Sequence, residues 1–155
     1  MKRLVIASLL GFFALLTACD SNRVYQQAYD FEESGWHMDS IPAFTFTIED
    51  TEPKNVLLHL RNSIAYKNWN LYLTWYLEDS TGRELQSELI NVALFDQKTG
   101  KPQGEGSSIY QHSIPLLQNH TFAQPGSYTL KVAQYMRELE LKDVLSVGVR
   151  VEEVE

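Results

Sequence analysis

Leu71-Tyr72-Leu73-Thr74-Trp75-Tyr76-Leu77 carries an apolar side chain at every second position, with Tyr72, Thr74 and Tyr76 between them. A period of two sends alternate side chains to opposite faces of an extended chain, whereas a helix needs a period near 3.6. Leu71, Leu73, Trp75 and Leu77 therefore share the buried face of a strand, and the tyrosines share its outer face.

The same reading repeats on both sides of this stretch. Phe44, Phe46 and Ile48 alternate with Thr45 and Thr47, and Val56, Leu58 and Leu60 alternate with Leu57, His59 and Arg61. Downstream, Ile90, Val92 and Leu94 share a face, Tyr128, Leu130 and Val132 another, and Leu145, Val147, Val149 and Val151 a last one. Ile109 to Leu117 reads as an edge strand because Pro115 cannot donate to a central ladder. Turn-forming clusters separate the runs at Asp50-Thr51-Glu52-Pro53, Asp79-Ser80-Thr81-Gly82, Lys98-Thr99-Gly100-Lys101-Pro102 and Gln124-Pro125-Gly126. Tyr135 and Leu139, four apart among charged residues, predict one short helical turn over 135–143. A one-sided antiparallel sheet must cover its apolar face with a second sheet. The expected fold is thus all-β, an antiparallel two-sheet β-sandwich, Ig-like or jelly-roll-like, of about seven to eight strands.

The N-terminus has a different grammar. Met1-Lys2-Arg3 precedes an apolar run from Leu4 to Leu16, then Thr17-Ala18-Cys19, which are the three regions of an export signal. Leu4 to Ala18 is 15 residues, short of the about 20 that cross a hydrocarbon core. Leu16-Thr17-Ala18-Cys19 matches the box recognised in bacterial lipoprotein processing, so residues 1–18 are expected to be cleaved and Cys19 to carry diacylglycerol and an N-acyl chain. Each buried methylene of such chains contributes about 0.8 kcal/mol of membrane affinity. Cys19 is the single cysteine of the chain, so no disulfide or thiolate site competes for this role. Residues 19–30 are expected to be the lipidated N-terminus and a polar tether, and 31–155 one sandwich domain.

Cleavage removes two of the 13 basic residues and none of the 20 acids, taking the formal charge of −7 to −9 over 137 residues. Scattered basic residues in an acidic chain exclude nucleic acid and leave membrane affinity to the lipid. No Gly-x-Ser-x-Gly, cysteine nucleophile or paired-histidine motif is present, so no enzymatic activity, no small-molecule substrate and no cofactor beyond the covalent lipid are expected. His37, His59, His112 and His120 lie far apart. The acidic pairs Glu49-Asp50, Glu78-Asp79 and Glu152-Glu153 lack the spaced ladder of a calcium loop. Gly104-Glu105-Gly106 follows no parallel strand and reads as a flexible turn. The aromatic residues Trp36, Tyr66, Trp69, Tyr72 and Tyr76 offer two readings: stacking surfaces for sugar rings, or cross-strand packing with Trp36 and Trp69 capping the core.

Several short motifs run through the mature chain in order: Cys19-Asp20-Ser21-Asn22-Arg23-Val24-Tyr25, Gly35-Trp36-His37, Leu60-Arg61-Asn62, Asn70-Leu71, Glu78-Asp79 with Gly82, Pro125-Gly126-x-Tyr128, Gln134-x-Met136-Arg137 and Val147-Gly148-x-Arg150. With these the chain resembles GldH, the gliding-motility lipoprotein family of the Bacteroidetes. The resemblance implies a non-catalytic structural or assembly component of the cell envelope, needed for gliding motility and the secretion linked to it, whose partners are the membrane and other envelope proteins of that apparatus. The candidate interaction surface is Trp36, His37, Tyr66, Trp69, Met136 and Arg137. The alternative is a periplasmic or surface glycan-binding module. Asp20-Ser21-Asn22-Arg23 holds one acid rather than the acidic run that surface-export signals look like, so the expected location is the outer membrane facing the periplasm, with the inner membrane left open.

Overall fold

The alternation read from the sequence becomes a strand in every run named above. The computed structural model describes residues 21–33 and 35–154. The export signal over 1–18 and the lipidation at Cys19 lie outside the described residues. The strands are β1 (Arg23–Asp30), β2 (Trp36–His37), β3 (Ala43–Ile48), β4 (Lys54–Ser63), β5 (Asn70–Asp79), β6 (Glu84–Ala93), β7 (Glu105–Gly106), β8 (Ile109–His120), β9 (Gly126–Gln134), β10 (Glu140–Leu141) and β11 (Val144–Glu153). No described residue is helical, and no helix long and apolar enough to cross a membrane occurs among them.

Two main sheets face each other, a five-stranded one in the order β1-β11-β4-β8-β7 and a four-stranded one in the order β3-β9-β5-β6, with β10-β2 as a separate ribbon. The pairings nest: β1 with β11, β3 with β9, β4 with β8 and β5 with β6 are all antiparallel. First strand with last, inward to a central hairpin, is a long hairpin rolled over on itself, so the sandwich is a jelly roll rather than Ig-like. Between the sheets lie Val56, Leu58, Leu60, Val147, Val149 and Val151 on one side and Phe44, Phe46, Ile48, Leu71, Leu73, Trp75, Leu77, Leu130 and Val132 on the other, all buried. On the outer face the hydroxyls of Thr45 and Thr129, directly opposite in the register, meet at 2.9 Å.

Three expectations need correction. The polar tether is mostly a strand: Arg23–Asp30 pairs with β11 from Arg23↔Glu152 to Asp30↔Ser146. It escapes a pattern-based reading because seven of its eight residues are exposed and only Tyr25 is half-buried, against Phe46 at 5.7 Å. Backbone hydrogen bonds hold this edge strand, and those leave no mark on the hydrophobic pattern. The helical turn over 135–143 is instead a bend leading into β10, and Tyr135 and Leu139 are exposed to solvent, so their four-residue spacing marks no buried stripe. Gly104-Glu105-Gly106 is not a flexible turn but the approach to β7, where Gly106 at φ 143° pairs with Tyr110. Ile109–His120 is close to the edge reading: β7 borders only its first residues, and Pro115 lies beyond β7, opposite Leu57 beside a bulge.

The register also fixes the two ends. Arg23, Glu152, Glu153, Lys54 and His120 lie together, since they pair in succession across β1, β11, β4 and β8. The segments 49–53 and 121–125 connect at that same N-terminal end. Segments 31–42, 64–69, 94–108 and 135–143 gather at the opposite, far end.

Candidate functional site

Lys54 occupies a position in phase with Val56, Leu58 and Leu60, and it is as buried as they are, 1% exposed. A buried ammonium is tolerated only when its donors are met. Its Nζ lies 2.6 Å from Asp50 Oδ1 and 2.9 Å from Glu153 Oε2 and donates to the Glu52 carbonyl at 3.1 Å. Burial works against the charge, but the bonds to Asp50 and Glu153 outweigh it and hold the Lys54 pKa above its ordinary value. One acid from each of the pairs Glu49-Asp50 and Glu152-Glu153 is thus spent on this lysine. Among the described residues no three His, Cys, Asp or Glu side chains are grouped to hold a metal ion.

The far end is built around Trp36. Its ring is fully buried, stacks on Phe31 at 4.8 Å between centroids, and donates from Nε1 to the Ser40 carbonyl at 2.8 Å. The β2–β10 ribbon sets it there through Trp36↔Leu141 and His37↔Glu140. Gly35, at φ 99°, permits the ribbon, since a Cβ would come within 2.5 Å of the Leu141 carbonyl oxygen. His37 is half-exposed, its Nδ1 accepts from the Asp39 N–H at 3.1 Å, and its Nε2 lies 3.9 Å from Glu140. Tyr66 is buried and donates to the Asn70 carbonyl at 3.0 Å, and burial pushes its phenol up to about 12.

A second arrangement occupies the outer face of the β5–β6 hairpin. Glu138 is held by Lys67 at 2.8 Å and by Asn68 at 3.1 Å, and these partners, Lys67 first, keep its carboxyl below the usual range. Gln134 donates to the Glu138 carbonyl at 2.8 Å and accepts from the Met136 N–H at 2.8 Å, while Tyr135 N–H donates to Tyr72 O at 2.8 Å. The Tyr72 N–H in turn donates to Met136 Sδ at 3.3 Å. The bend is therefore fixed, and it walls an apolar groove of about 560 Å³ lined by Tyr72, Leu89, Tyr135, Met136, Arg137 and Glu138.

The structure divides the six expected surface residues. Trp36 and Tyr66 belong to the core, which favours capping and packing over sugar stacking for them. His37 sits on the ribbon, and Trp69, 37% exposed, lines a separate shallow pocket with Ile64, Phe95 and Pro102. Tyr66, though buried, borders the same pocket as Trp69, and Met136 and Arg137 share the groove with Tyr72, whose further members Leu89, Tyr135 and Glu138 were missed. A signal existed for Leu89: in Glu84–Ala93 the apolar residues Leu85 and Leu89 fall out of phase with Ile90 and Val92, so both cannot face the core.

Three histidines link the fold to pH. Burial holds His59, with a further push from Arg150, and also His112 and His120 below the ordinary imidazole value of 6.5. His112 Nε2 sits 2.8 Å from Asn62 Oδ1 between β4 and β8. Because their folded pKa values are depressed, the unfolded chain takes up these protons first. Their stabilising contribution is complete above 6.5 and is lost as pH falls through the folded values. The melting temperature is expected to be level above about pH 7 and to decline from about pH 6.5 downward, ahead of any carboxylate protonation. His112→Gln should flatten that slope, and a melting temperature unchanged down to about pH 5 would contradict this account.

Residues 23–151 match the family model described as GldH lipoprotein. The chain is similar to a protein of Flavobacterium johnsoniae named gliding motility lipoprotein GldH, at 27% identity over 151 residues, covering 90% of each chain. It is also similar to a gliding motility lipoprotein GldH homolog of Christiangramia forsetii, at 26% identity over 151 residues, covering 89% of this chain and 88% of that one.

Proposed function

The chain belongs to the GldH lipoprotein family, and from that membership we propose that it is a non-catalytic assembly component of the envelope machinery for gliding motility and its associated protein secretion. Family membership carries association with the membrane through a lipid anchor. The covalent lipid is assigned to Cys19, with no other cofactor, and the domain to the outer membrane facing the periplasm. The observation that carries the proposal is the family match across 23–151, which spans β1 to β11, so the whole jelly roll and not a fragment of it is the family unit.

The fold adds a constraint. With β1 beginning at Arg23, only Asp20, Ser21 and Asn22 separate Cys19 from the sheet. Four residue steps span about 14 Å at most. A lipid on Cys19 then holds the N-terminal end, with Lys54, Asp50 and Glu153, against the membrane and points the far end and the groove away from it. Such a domain acts on what lies next to it. The glycan alternative has less in its favour, since Trp36 and Tyr66 are buried and Trp69 and Tyr72 line different pockets.

Clean deletion of the coding sequence in a gliding host is expected to abolish colony spreading and to lower the amount of protein exported by the associated secretion machinery, with both restored by the full chain. Unchanged spreading and export in the deletion strain would remove the proposed role.

A further inference from the structure

The sheet β3-β9-β5-β6 ends on a ten-residue strand whose outer side is unpaired. Edge strands this long are templates for another strand unless something guards them. Nearly all of β6 is exposed on both faces: Gln86 and Glu88 lie opposite the buried Leu77 and Trp75 yet are themselves exposed, so the strand overhangs the facing sheet. On the outer side Leu89, 51% exposed, lines with Tyr72 the groove walled by Tyr135 and Met136.

We propose that this edge receives an extended segment of a partner protein that alternates basic and apolar residues, adding a fifth strand to the sheet. Main-chain hydrogen bonds would supply affinity and alternate side-chain sites specificity. The charge of β6 selects the occupant: it carries Glu84 and Glu88 and no basic residue. Residues of the incoming strand on the inner face meet Glu88 and are lysine or arginine, and those on the outer face enter the groove and are apolar. A second copy of this chain is disfavoured, because pairing β6 with itself sets four glutamates along one seam with no cation, and like charges across a strand pair are destabilising. The opposite edge of this sheet, β3, is six residues long and carries no charge, and β1, the edge of the other sheet, holds both Arg23 and Asp30 and packs its Tyr25 onto Phe46.

This surface deepens the contact-making role proposed above, and it is tested on purified protein, so its failure leaves the deletion result standing. The full chain in detergent micelles is titrated with a labelled peptide of about nine residues, alternating valine and lysine, long enough to cover a strand. Saturable binding is expected, with slowed amide exchange across β6. Binding should weaken at least roughly tenfold, about 1.4 kcal/mol, in Glu88→Lys and in Leu89→Asp, with melting temperatures unchanged because both side chains are exposed. A backbone N-methylated peptide and a valine–glutamate peptide should not bind. Equal binding of the glutamate peptide, binding retained in both variants, or self-association through β6 would each overturn the proposal.

Discussion

Trp36→Ala is expected to destabilise the domain by about 3–5 kcal/mol, a large part of what a domain of this size has. The ring is fully buried, and its removal opens a cavity between Phe31 and Leu141 that the ribbon cannot close. The loss also strands the Ser40 carbonyl, which receives the indole N–H. Trp36→Phe restores most of the buried area and the stack on Phe31 but not that hydrogen bond, so it should cost markedly less, about 1–2 kcal/mol. Urea unfolding of the exported domain measures both. A Trp36→Ala variant within about 1 kcal/mol of the parent would show that the ring does not hold the far end together.

That variant also bears on how the sequence should be read. Alternation located β3, β4, β5, β9, β11 and the second half of β6, and apolar content located β8, because each sets at least part of one face against the facing sheet, and burial is what the pattern records. It missed β1, whose face is solvated, and it gave Tyr135 and Leu139 a helical meaning that their exposure removes. Strand order was beyond it for a different reason. Periodicity states which side chains face inward and not which strand lies beside which, so Ig-like and jelly-roll arrangements of the same strands look alike until the pairing of β1 with β11 is seen.

The site was legible to a smaller degree. Gln134-x-Met136-Arg137 pointed to one wall of the groove, yet its floor comes from Tyr72 and Leu89, more than 40 residues away in sequence. Lys54 shows the opposite case: a lysine in phase with Val56, Leu58 and Leu60, flanked four residues earlier by Asp50, is a local signature of a buried, paired ammonium. The second partner, Glu153, is supplied from the far end of the chain by the nested pairing, which no local window contains.

Removing the anchor is expected to have the largest effect on location and none on folding. With Cys19→Ala, exported behind a signal that is cleaved without lipidation, the protein should move from the membrane pellet to the soluble periplasmic fraction. At about 0.8 kcal/mol per methylene, the acyl chains supply far more membrane affinity than an acidic surface without a basic block. Its melting temperature should equal that of the lipidated chain, since among the described residues the first main-chain bond to the sheet is at Asn22, whose carbonyl accepts from the Glu153 N–H at 2.7 Å. Retention in the membrane pellet would mean that the domain holds the membrane, or a membrane protein, by its own surface. The short leader gives a second arm to the test. Inserting about twenty Gly/Ser residues after Asp20 adds roughly 25 Å of mean reach while keeping both lipid and fold. If the domain acts because the N-terminal end is held against the membrane, this variant should stay in the pellet and melt like the parent yet fail to restore spreading to the deletion strain. If it restores spreading fully, attachment suffices and the orientation imposed by the three residues before β1 does not matter.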